Sequence, residues 1–452
     1  MRIKLRVSLF LFCLLQLTFG YAQNLLVGTP DDHSPSFTLQ QCIDYGLKHQ
    51  PQVQQALIGQ TIARINNAIN LADWWPKVNA TGNFTHYFKL PTSLVNTAPT
   101  GPPLIVPEQT GVYNTLIPGA GVTQNIFTPQ LLYASSTTKL YVEQARQVTD
   151  SAKIQLVSAL SKSFYTLLLT LEQVNILKED TLRLGRSYTD AYHQYVGGIV
   201  DETDYQQANI SLNNSKAQLK QANENIIPQY ALLKQLMGYK PEDQFHIVSD
   251  TVTMLKSIEI DTTKQLKYEK RIEYKQLQTA KALQQKLTNY YKWYYLPSIS
   301  GFYNYNYVYE NNSFSQLFST AYPNSYFGFS LNIPVFTGFF RVNNLRKSKL
   351  QEKLLDWNET SLKSSIYVQY TTAMANYKGN LYNLKVLKQN VAMARRVYFV
   401  VDLQYKQGIV PYLNMITAES NLITSEINYL NALFQLLSSK IDIETAMGDI
   451  SY

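Results

Sequence analysis

The sequence is almost free of cysteine. Among its 452 residues only Cys13 and Cys42 carry thiols. Cys13 lies in an N-terminal segment that we expect to be removed, so the mature chain cannot form an internal disulfide. Cys42 lies well inside the mature chain, which excludes a lipid-modified cysteine at a new N-terminus. We therefore expect Cys42 to be a small buried apolar residue.

Residue patterns for catalysis and metal binding are also missing. The histidines, at positions 33, 49, 86, 193 and 246, have no metal-ligand spacing, and no phosphate loop or nucleophile elbow occurs. Asp201, Glu202 and Asp204 are close together, but they follow a turn and open a helix, where acids favour the helix dipole. Helix capping explains them better than paired catalytic carboxylates. We expect no enzyme, no metal and no cofactor.

Long apolar runs are scarce. One run, residues 7–19, follows the basic residues Arg2, Lys4 and Arg6, and small residues precede a cleavage point after Ala22. This is the pattern of an export signal. A membrane anchor is the alternative, but a span needs about 20 apolar residues. No later stretch has 18 consecutive apolar residues, so the mature chain is predicted to be soluble or to enter a membrane as a β-barrel.

Strong charge is absent as well. The formal net charge of +8 falls to +5 when the three basic residues of the signal leave. Spread over so long a chain, this excess is too dilute to indicate nucleic acid as a partner. A basic group at the start of a long helix is expected to be a solvated face: Arg341, Arg346, Lys347, Lys349 and Lys353.

The chain does contain a repeat. Residues 195–200 read Tyr-Val-Gly-Gly-Ile-Val, and residues 405–410 read Tyr-Lys-Gln-Gly-Ile-Val. A long repeat that occurs only twice indicates a duplicated domain and not a solenoid. The register continues through Ala208 and Ala418, Leu212 and Leu422, Ser215 and Ser425, Ala222 and Ala432, and Gly238 and Gly448.

Each half is predicted to run helix, two strands, long helix, tip, helix. The helices are inferred from 3.6-residue periodicity and the strands from strict alternation. The first helix has Thr38 as its candidate N-cap, and the helical pattern breaks at Pro51. A proline-rich loop is expected over 89–118, between the first two strands, and another loop crosses Pro323 between the last two. The predicted plan starts with a signal peptide at 1–22 and an extended segment at 23–36. The first repeat covers 37–239, with strands at about 77–88 and 119–127 and a tip near 198. After a linker at 240–262, the second repeat covers 263–452, with strands at about 298–309 and 325–336 and a tip near 408.

The long helices are predicted to form coiled coils. Roughly 65 residues separate the last strand of each half from its tip, which is about 100 Å of helix. An amphipathic helix on an ordinary core is the alternative, but it does not suit that length. Apolar residues recur every seven positions at Tyr370, Tyr377, Leu384, Val391, Tyr398 and Tyr405, with Ala373, Leu387, Ala394 and Val401 in the companion seam.

The strands have the length of membrane strands, for which about 9–11 residues suffice. Aromatic residues at Tyr303, Tyr305, Tyr307 and Tyr309 are typical of the membrane interface of a β-barrel. Four strands cannot close a barrel, and open edges are excluded in lipid. Strands in a membrane would therefore require several copies, and three copies would supply twelve strands. A soluble α+β protein with solvent-facing hairpins remains the alternative.

From about residue 37 to its end, the chain resembles the TolC-type outer-membrane efflux proteins. The resemblance rests on the opening segment 37–47, the helix-to-strand junctions at Pro76 and Pro297, the two tips, and the closing Gly238 and Gly448. No single motif is decisive, but the ordered and duplicated set is specific.

This resemblance implies a mainly α-helical fold with a small β part. Three copies would form a 12-stranded outer-membrane barrel, in contact with outer-membrane lipid and continuous with a periplasmic helical barrel. The tips would meet a periplasmic adaptor that links the duct to an inner-membrane RND-type pump or ABC exporter. Drug, metal-ion and protein cargo all remain open, and an exported periplasmic coiled-coil scaffold without a channel is the rival class. The implied adaptor contacts are Tyr195, Gly198, Ile199, Val200, Tyr405, Gly408, Ile409 and Val410.

The expected periplasmic entrance departs from the family pattern. Asn414 and Thr417 stand where well-known members carry acids after the second tip, whereas the first tip keeps Asp201 and Asp204. Uncharged side chains cannot form a ring of mutually repelling carboxylates. We therefore hypothesise that packing around Tyr405, Tyr412 and Met415 holds the entrance shut. The alternative is that Tyr405 is only the last residue of the heptad series.

Overall fold

The fold was analysed in a computed structural model, which describes residues 34–96, 101–102, 105–248, 258, 260 and 264–452. The signal peptide, nearly all of the extended segment and part of the predicted linker lie outside these residues.

The described chain opens with two short helices. Helix α1 (Leu39–His49) begins with a capping box, in which the Thr38 hydroxyl accepts from the Gln41 N–H and the Gln41 side chain accepts from the Thr38 N–H. Helix α2 (Pro51–Leu71) has proline in its first turn, as the sequence predicted. The short strand β1 (Ser36–Phe37) precedes α1.

The strands of the two halves join in one four-stranded sheet. Strands β2 (Lys77–His86), β5 (Asn114–Phe127), β7 (Ser298–Asn311) and β8 (Ala321–Asn332) pair antiparallel in that order. The contact between β5 and β7 therefore links the first half to the second. Strands β2 and β8 lie at the two edges of this sheet.

The two faces of this sheet differ in chemistry, because alternate residues point to opposite sides and directly paired residues share a side. One face is apolar and aromatic: Val78, Ala80, Phe84, Leu116, Val122, Ile299, Tyr303, Tyr305, Tyr307, Tyr309, Phe327, Phe329 and Leu331. The other carries mainly amides and hydroxyls, at Asn79, Thr81, Asn83, Thr85, Thr115, Thr123, Ser300, Asn304, Asn306, Asn324 and Ser330, with Ile117, Phe302, Val308, Tyr322 and Tyr326 among them.

Glycines in β5 make room for the amides of β7. A Cβ at Gly119 would lie 1.9 Å from the side-chain oxygen of Asn306, and one at Gly121 would lie 2.5 Å from that of Asn304. Both distances are shorter than real contacts allow, so glycine is required for the amide side chains to lie across the neighbouring strand.

Two helices extend far from the sheet. Helix α3 (Pro129–Val196) has 68 residues and α6 (Phe340–Lys406) has 67, so each is about 100 Å long. Helix α4 (Glu202–Met237) returns along α3, and α7 (Tyr412–Met447) returns along α6. Helix α5 (Ile272–Trp293) packs on α6 and α3, much as α2 packs on α3.

The heptad residues of α6 form its packed face, as the sequence predicted. Tyr377, Leu384, Ala373 and Tyr405 are buried, and the other members of both series are half-buried. An 18-residue window of α3 is apolar enough for a membrane span, but 44% of it is buried inside the protein. The packing of α3 against α2, α4, α5 and α7 is that of a core helix.

The main core lies where the helices of both halves meet. It joins residues of α1, α3, α4, α6 and α7 around Leu160, Leu233 and Leu436. Cys42 belongs to this core with no exposed surface, which confirms the expectation of a buried cysteine. Burial raises the pKa of the Cys42 thiol to about 12, so it stays protonated.

The expected loop at 89–118 is partly wrong. It contains a hairpin of β3 (Thr92–Asn96) and β4 (Ile105–Gln109), and β5 begins at Asn114 and not at 119. Pro118 suggested a loop, yet it lies inside β5. The ladder to β7 is interrupted between Leu116 and Gly119, where the missing N–H of proline would otherwise be needed.

The fourth strand is displaced from its predicted range of 325–336. Strand β8 covers Ala321–Asn332 and includes Pro323, which was expected in a loop. Proline is tolerated there because β8 is an edge strand of the sheet. The short strand β6 (His246–Ile247) pairs with β1 within the range predicted as linker.

One basic residue was also misjudged. Arg341 was expected on a solvated face together with Arg346, Lys347, Lys349 and Lys353, but it is 8% exposed. Its guanidinium donates to the Val335 carbonyl at 2.9 Å and to the Thr337 hydroxyl at 3.1 Å, and it stacks over the Tyr295 ring. Arg341 thus ties the start of α6 to the segment that leaves β8.

Candidate functional site

Both long helices end in the same kind of turn. Gly198 and Gly408 have φ angles of +73° and +70°, a left-handed conformation that favours glycine. The Ile199 N–H donates to the Gln194 carbonyl, and the Ile409 N–H donates to the Gln404 carbonyl, each at 2.9 Å. These bonds close a Schellman turn at each helix end. The repeated motif therefore encodes a repeated helix stop.

The two turns expose the residues that the resemblance assigned to adaptor contact. Ile199 is 76% exposed and Ile409 is 64% exposed, although both are large apolar side chains. Val200 and Val410 are half-buried, and Tyr195 is exposed. Tyr405 differs from its repeat partner, because it is buried.

The acids after the first tip lie at the start of α4. Asp201 occupies the N-cap position, but its side chain makes no capping hydrogen bond, so this part of the capping expectation is wrong. Glu202 and Asp204 lie in the first turn, where their charges favour the helix dipole. The side chain of Asp201 is exposed and that of Asp204 is half-buried.

The residues expected to close the entrance join two hairpins of one chain. Tyr405, Tyr412 and Met415 pack with Ala191 of α3 and Ala208 of α4, and we call these five residues the tip cluster. The Tyr405 and Tyr412 rings meet edge to face, with centroids 5.6 Å apart. The tip cluster therefore holds the α6–α7 hairpin against the α3–α4 hairpin.

Polar contacts of both tyrosines reinforce this seam. The Tyr405 hydroxyl donates to the Gln194 side chain at 3.2 Å, and the Ser187 hydroxyl donates to the Tyr412 oxygen at 3.3 Å. Burial raises the pKa of Tyr412 to about 12, so the phenol stays neutral at physiological pH.

Asn414 and Thr417 lie apart from the tip cluster on the exposed surface of α7. The Thr417 hydroxyl donates to the Leu413 carbonyl at 2.7 Å, one turn back. These positions thus present uncharged side chains outside the seam that Tyr412 and Met415 form.

A buried charged cluster nearby was not foreseen. Arg183 of α3 lies 3.3 Å from Glu419 of α7 and 3.6 Å from Asp180 of its own helix, and the Ser215 hydroxyl donates to Asp180 at 2.6 Å. Sequence reasoning missed it because Arg183 and Glu419 are 236 residues apart. The sequence does contain a signal that Glu419 is buried, because this residue lies at helical spacing between the apolar residues Met415 and Leu422.

Both carboxyls of this cluster are perturbed. Desolvation, followed by the nearby Asp180 charge, raises the pKa of Glu419 to about 7, against the opposing effect of Arg183. Burial also raises the pKa of Asp180, although its hydrogen bond from Ser215 and the Arg183 charge oppose the shift.

The four tyrosines of β7 form one row on the apolar face. Tyr303, Tyr305 and Tyr307 are 46%, 37% and 41% exposed, and Tyr309 is half-buried. From Tyr303 to Tyr309 the row spans about 20 Å of strand, which is most of the height of an apolar membrane band. The Tyr305 hydroxyl donates to the Tyr307 hydroxyl at 3.2 Å. The row is therefore longer than a girdle at a single interface.

Together, the exposed apolar sheet face, the long helices and the duplicated tips define an outer-membrane protein of the efflux-channel class. The profile of the family described as "Outer membrane efflux protein" matches residues 43–239 and 270–449. The chain belongs to this family, and its place is the outer membrane. No curated protein sequence matches the chain significantly.

Solved structures of similar fold include outer-membrane proteins and channels of distant sequence. The chain is similar to the outer membrane protein VceC of Vibrio cholerae, with a TM-score of 0.71, 14% identity, and coverage of 91% of this chain and 96% of VceC. For the CmeC outer membrane channel of Campylobacter jejuni the values are 0.70, 17%, 91% and 85%. For the open-state MtrE channel of Neisseria gonorrhoeae they are 0.70, 17%, 91% and 88%. At such identities the likeness establishes the fold.

Proposed function

We propose that the chain forms a passive exit duct across the outer membrane, built from three copies. The observation that carries the proposal is the sheet with one apolar and one amide-rich face, attached to helices about 100 Å long. Such a sheet suits lipid on one side and water on the other. The duct lowers no chemical barrier, and its energy comes from an inner-membrane partner.

The need for several copies follows from the edges of the sheet. Strands β2 and β8 are each paired on one side only among the described strands. Unpaired backbone groups in lipid cost several kcal/mol each. Pairing β8 of one copy with β2 of the next satisfies both edges. Three copies give twelve strands, within the range known for closed barrels.

The amide-rich face then lines the water path. Between Lys77 at one end and Glu310 at the other, the described residues of this face carry no charged side chain. Such a lining hydrates the passage without strongly selecting cations or anions. The barrel thereby suits a general outlet, and selection of cargo is left to the inner-membrane pump.

The two tips are proposed as the periplasmic docking surface. Ile199 and Ile409 stand out from turns of the same geometry and give each chain two similar apolar contacts. Three chains would offer six such contacts to the hairpins of an adaptor protein. An RND-type pump or an ABC exporter would complete the assembly.

We propose that the tip cluster sets the aperture of the periplasmic entrance. Because Tyr405 and Tyr412 join the two hairpins within one chain, they fix the position of the α6–α7 hairpin against α3. Asp201 and Asp204 of the first tip, and the uncharged Asn414 and Thr417 of the second, would then face the opening. The entrance would be closed by packing and not by a ring of carboxylates.

Reconstitution in planar bilayers tests the duct. Purified protein is expected to give discrete conductance steps, and Tyr405→Ala combined with Tyr412→Ala is expected to raise the step size. Unchanged steps in the double variant would exclude the packing account of the entrance. The rival function, a periplasmic coiled-coil scaffold, predicts no conductance and release of the protein from membranes by carbonate and high salt.

A further inference from the structure

The charged cluster beneath the tips differs from an ordinary surface ion pair in its burial and in its balance of charges. Asp180 and Glu419 have side chains 3% and 1% exposed, and a single guanidinium, Arg183, lies between them. Surface pairs contribute little and are screened by salt, whereas buried charges must be matched one by one. Two buried carboxylates against one guanidinium leave an excess negative charge.

Hydrogen bonding in the cluster is also incomplete. One oxygen of Glu419 is buried without a hydrogen-bond partner among the described residues. Arg183 Nη2 and Asp180 Oδ1 also lack a hydrogen bond, because they face each other at 3.6 Å, which is too long for one. Buried polar groups are nearly always satisfied, so unsatisfied atoms call for an explanation. A proton on one carboxyl would neutralise the excess charge and supply a donor.

We propose that Asp180 and Glu419 form a shared proton-binding site that controls how firmly the α6–α7 hairpin is held against α3 near the tips. The site lies where α7 packs against α3, between the tip cluster and the main core. This proposal does not depend on whether the chain forms an ion-conducting channel.

Solvent has a route to this site. A groove of about 360 Å³ between α4 and α7 is lined by Asp180, Ser215, Ser211, Ser420 and Thr424. Its hydroxyl groups can hold water against the Asp180 carboxyl, so protons can reach the cluster without unfolding of the helices.

The other groups around the cluster do not compete for this proton. Burial raises the pKa of both Tyr398 and Tyr412 to about 12, so they stay neutral. Asp402 pairs with Lys406 at 2.8 Å, and Glu426 pairs with Arg395 at 2.7 Å. Glu179 lies 4.0 Å from Arg183, but its side chain is exposed, so water screens its charge.

The direction of the effect follows from burial. The packed arrangement removes both carboxyls from water and therefore favours the protonated form, so the packed state binds more protons than an opened state. Packing near the tips is then tightest in acid and loosens as the pH rises through about 7, where Glu419 loses its proton. A proton leaves the carboxyl to solvent, and no bond other than O–H changes.

Hydrogen exchange of the intact protein in detergent tests this site. Amide exchange in the first half of α7, corrected for intrinsic rates, is compared at pH 6 and pH 8. The wild-type protein is expected to open up to about tenfold more at pH 8 than at pH 6, because opening grows by about one decade per pH unit up to the packed-state pKa of about 7 and levels off above it. Glu419→Gln, which cannot ionise, is expected to exchange equally at both pH values.

Two further variants complete the test. Asp180→Asn leaves Glu419 alone with Arg183, so it is expected to reduce the difference between pH 6 and pH 8, although desolvation of Glu419 remains. Glu426→Gln is the matched control, two turns along α7 and already paired with Arg395, and it is expected to keep the wild-type difference. The proposal is overturned if exchange in the wild-type protein does not depend on pH, if Glu419→Gln keeps the wild-type difference, or if Asp180→Asn leaves that difference undiminished.

Discussion

Tyr412→Ala is the substitution that bears most directly on the seam between the two hairpins. Tyr412 is 1% exposed, its ring packs on Tyr405, and its hydroxyl oxygen accepts from Ser187. Truncating a fully buried aromatic side chain costs about 3–5 kcal/mol, and the loss of the hydrogen bond falls within that range. We expect most of this cost in the contact between α7 and α3, which the tip cluster supports.

This free-energy cost can be expressed as a shift in the equilibrium between the packed and the opened α6–α7 hairpin. Since about 1.4 kcal/mol is a factor of ten, a loss of about 3 kcal/mol raises the population of the opened hairpin roughly a hundredfold. Hydrogen exchange near both tips of the variant should accelerate by that order, whereas exchange around the main core at Leu436 should stay unchanged.

Tyr382→Ala provides the matched control. Tyr382 also lies on a long helix but is 71% exposed, so its loss should change stability by no more than about 0.5 kcal/mol. If Tyr412→Ala leaves exchange at the tips unchanged, or accelerates it equally along the whole of α7, then the tip cluster does not join the hairpins in the way described.

Two other substitutions test the sheet and the turns. Phe327→Arg on the apolar face should cost about 2–4 kcal/mol in lipid and reduce the yield of folded membrane protein. Thr81→Arg on the amide-rich face should be tolerated, and equal yields of the two variants would contradict the assignment of the faces. Gly408→Ala forces a side chain into a left-handed turn and should lower stability by about 1–2 kcal/mol in thermal unfolding. Gly379→Ala lies inside α6, where a Cβ meets open space, so the stability of that variant should match or exceed that of the wild type. A Gly408→Ala protein as stable as the Gly379→Ala protein would refute the turn geometry.

The helices could be predicted closely because their signals are local. The Thr38 cap, the Pro51 break and the heptad face of α6 depend on residues a few positions apart, and the structure agrees with them. The repeat located both tips because a left-handed glycine is needed wherever such a helix end turns back.

The strand bounds and the charged cluster could not be read in the same way. Pro118 and Pro323 suggested loops because proline cannot donate a hydrogen bond to a neighbouring strand. Whether that donor is needed depends on which strand lies beside the proline, and the sequence does not show this. The pairing of Glu419 with Arg183 depends on how two hairpins pack at long range, which no local pattern encodes. The closure role given to Tyr405, Tyr412 and Met415 stays a prediction, because their contacts show how two hairpins of one chain join and do not test the entrance.

The central claim is that edge strands β2 and β8 of different copies meet. In a Cys42→Ala background, single cysteines placed along β2 can be combined with single cysteines along β8, and oxidised membranes can be examined on a denaturing gel. The two strands lie at opposite edges of the sheet, so a disulfide between them reports contact between copies. A ladder of covalent species that stops at three chains is the predicted result. A protein that remains a single uncrosslinked chain at every pair, or that builds species larger than three, contradicts the closed trimeric duct.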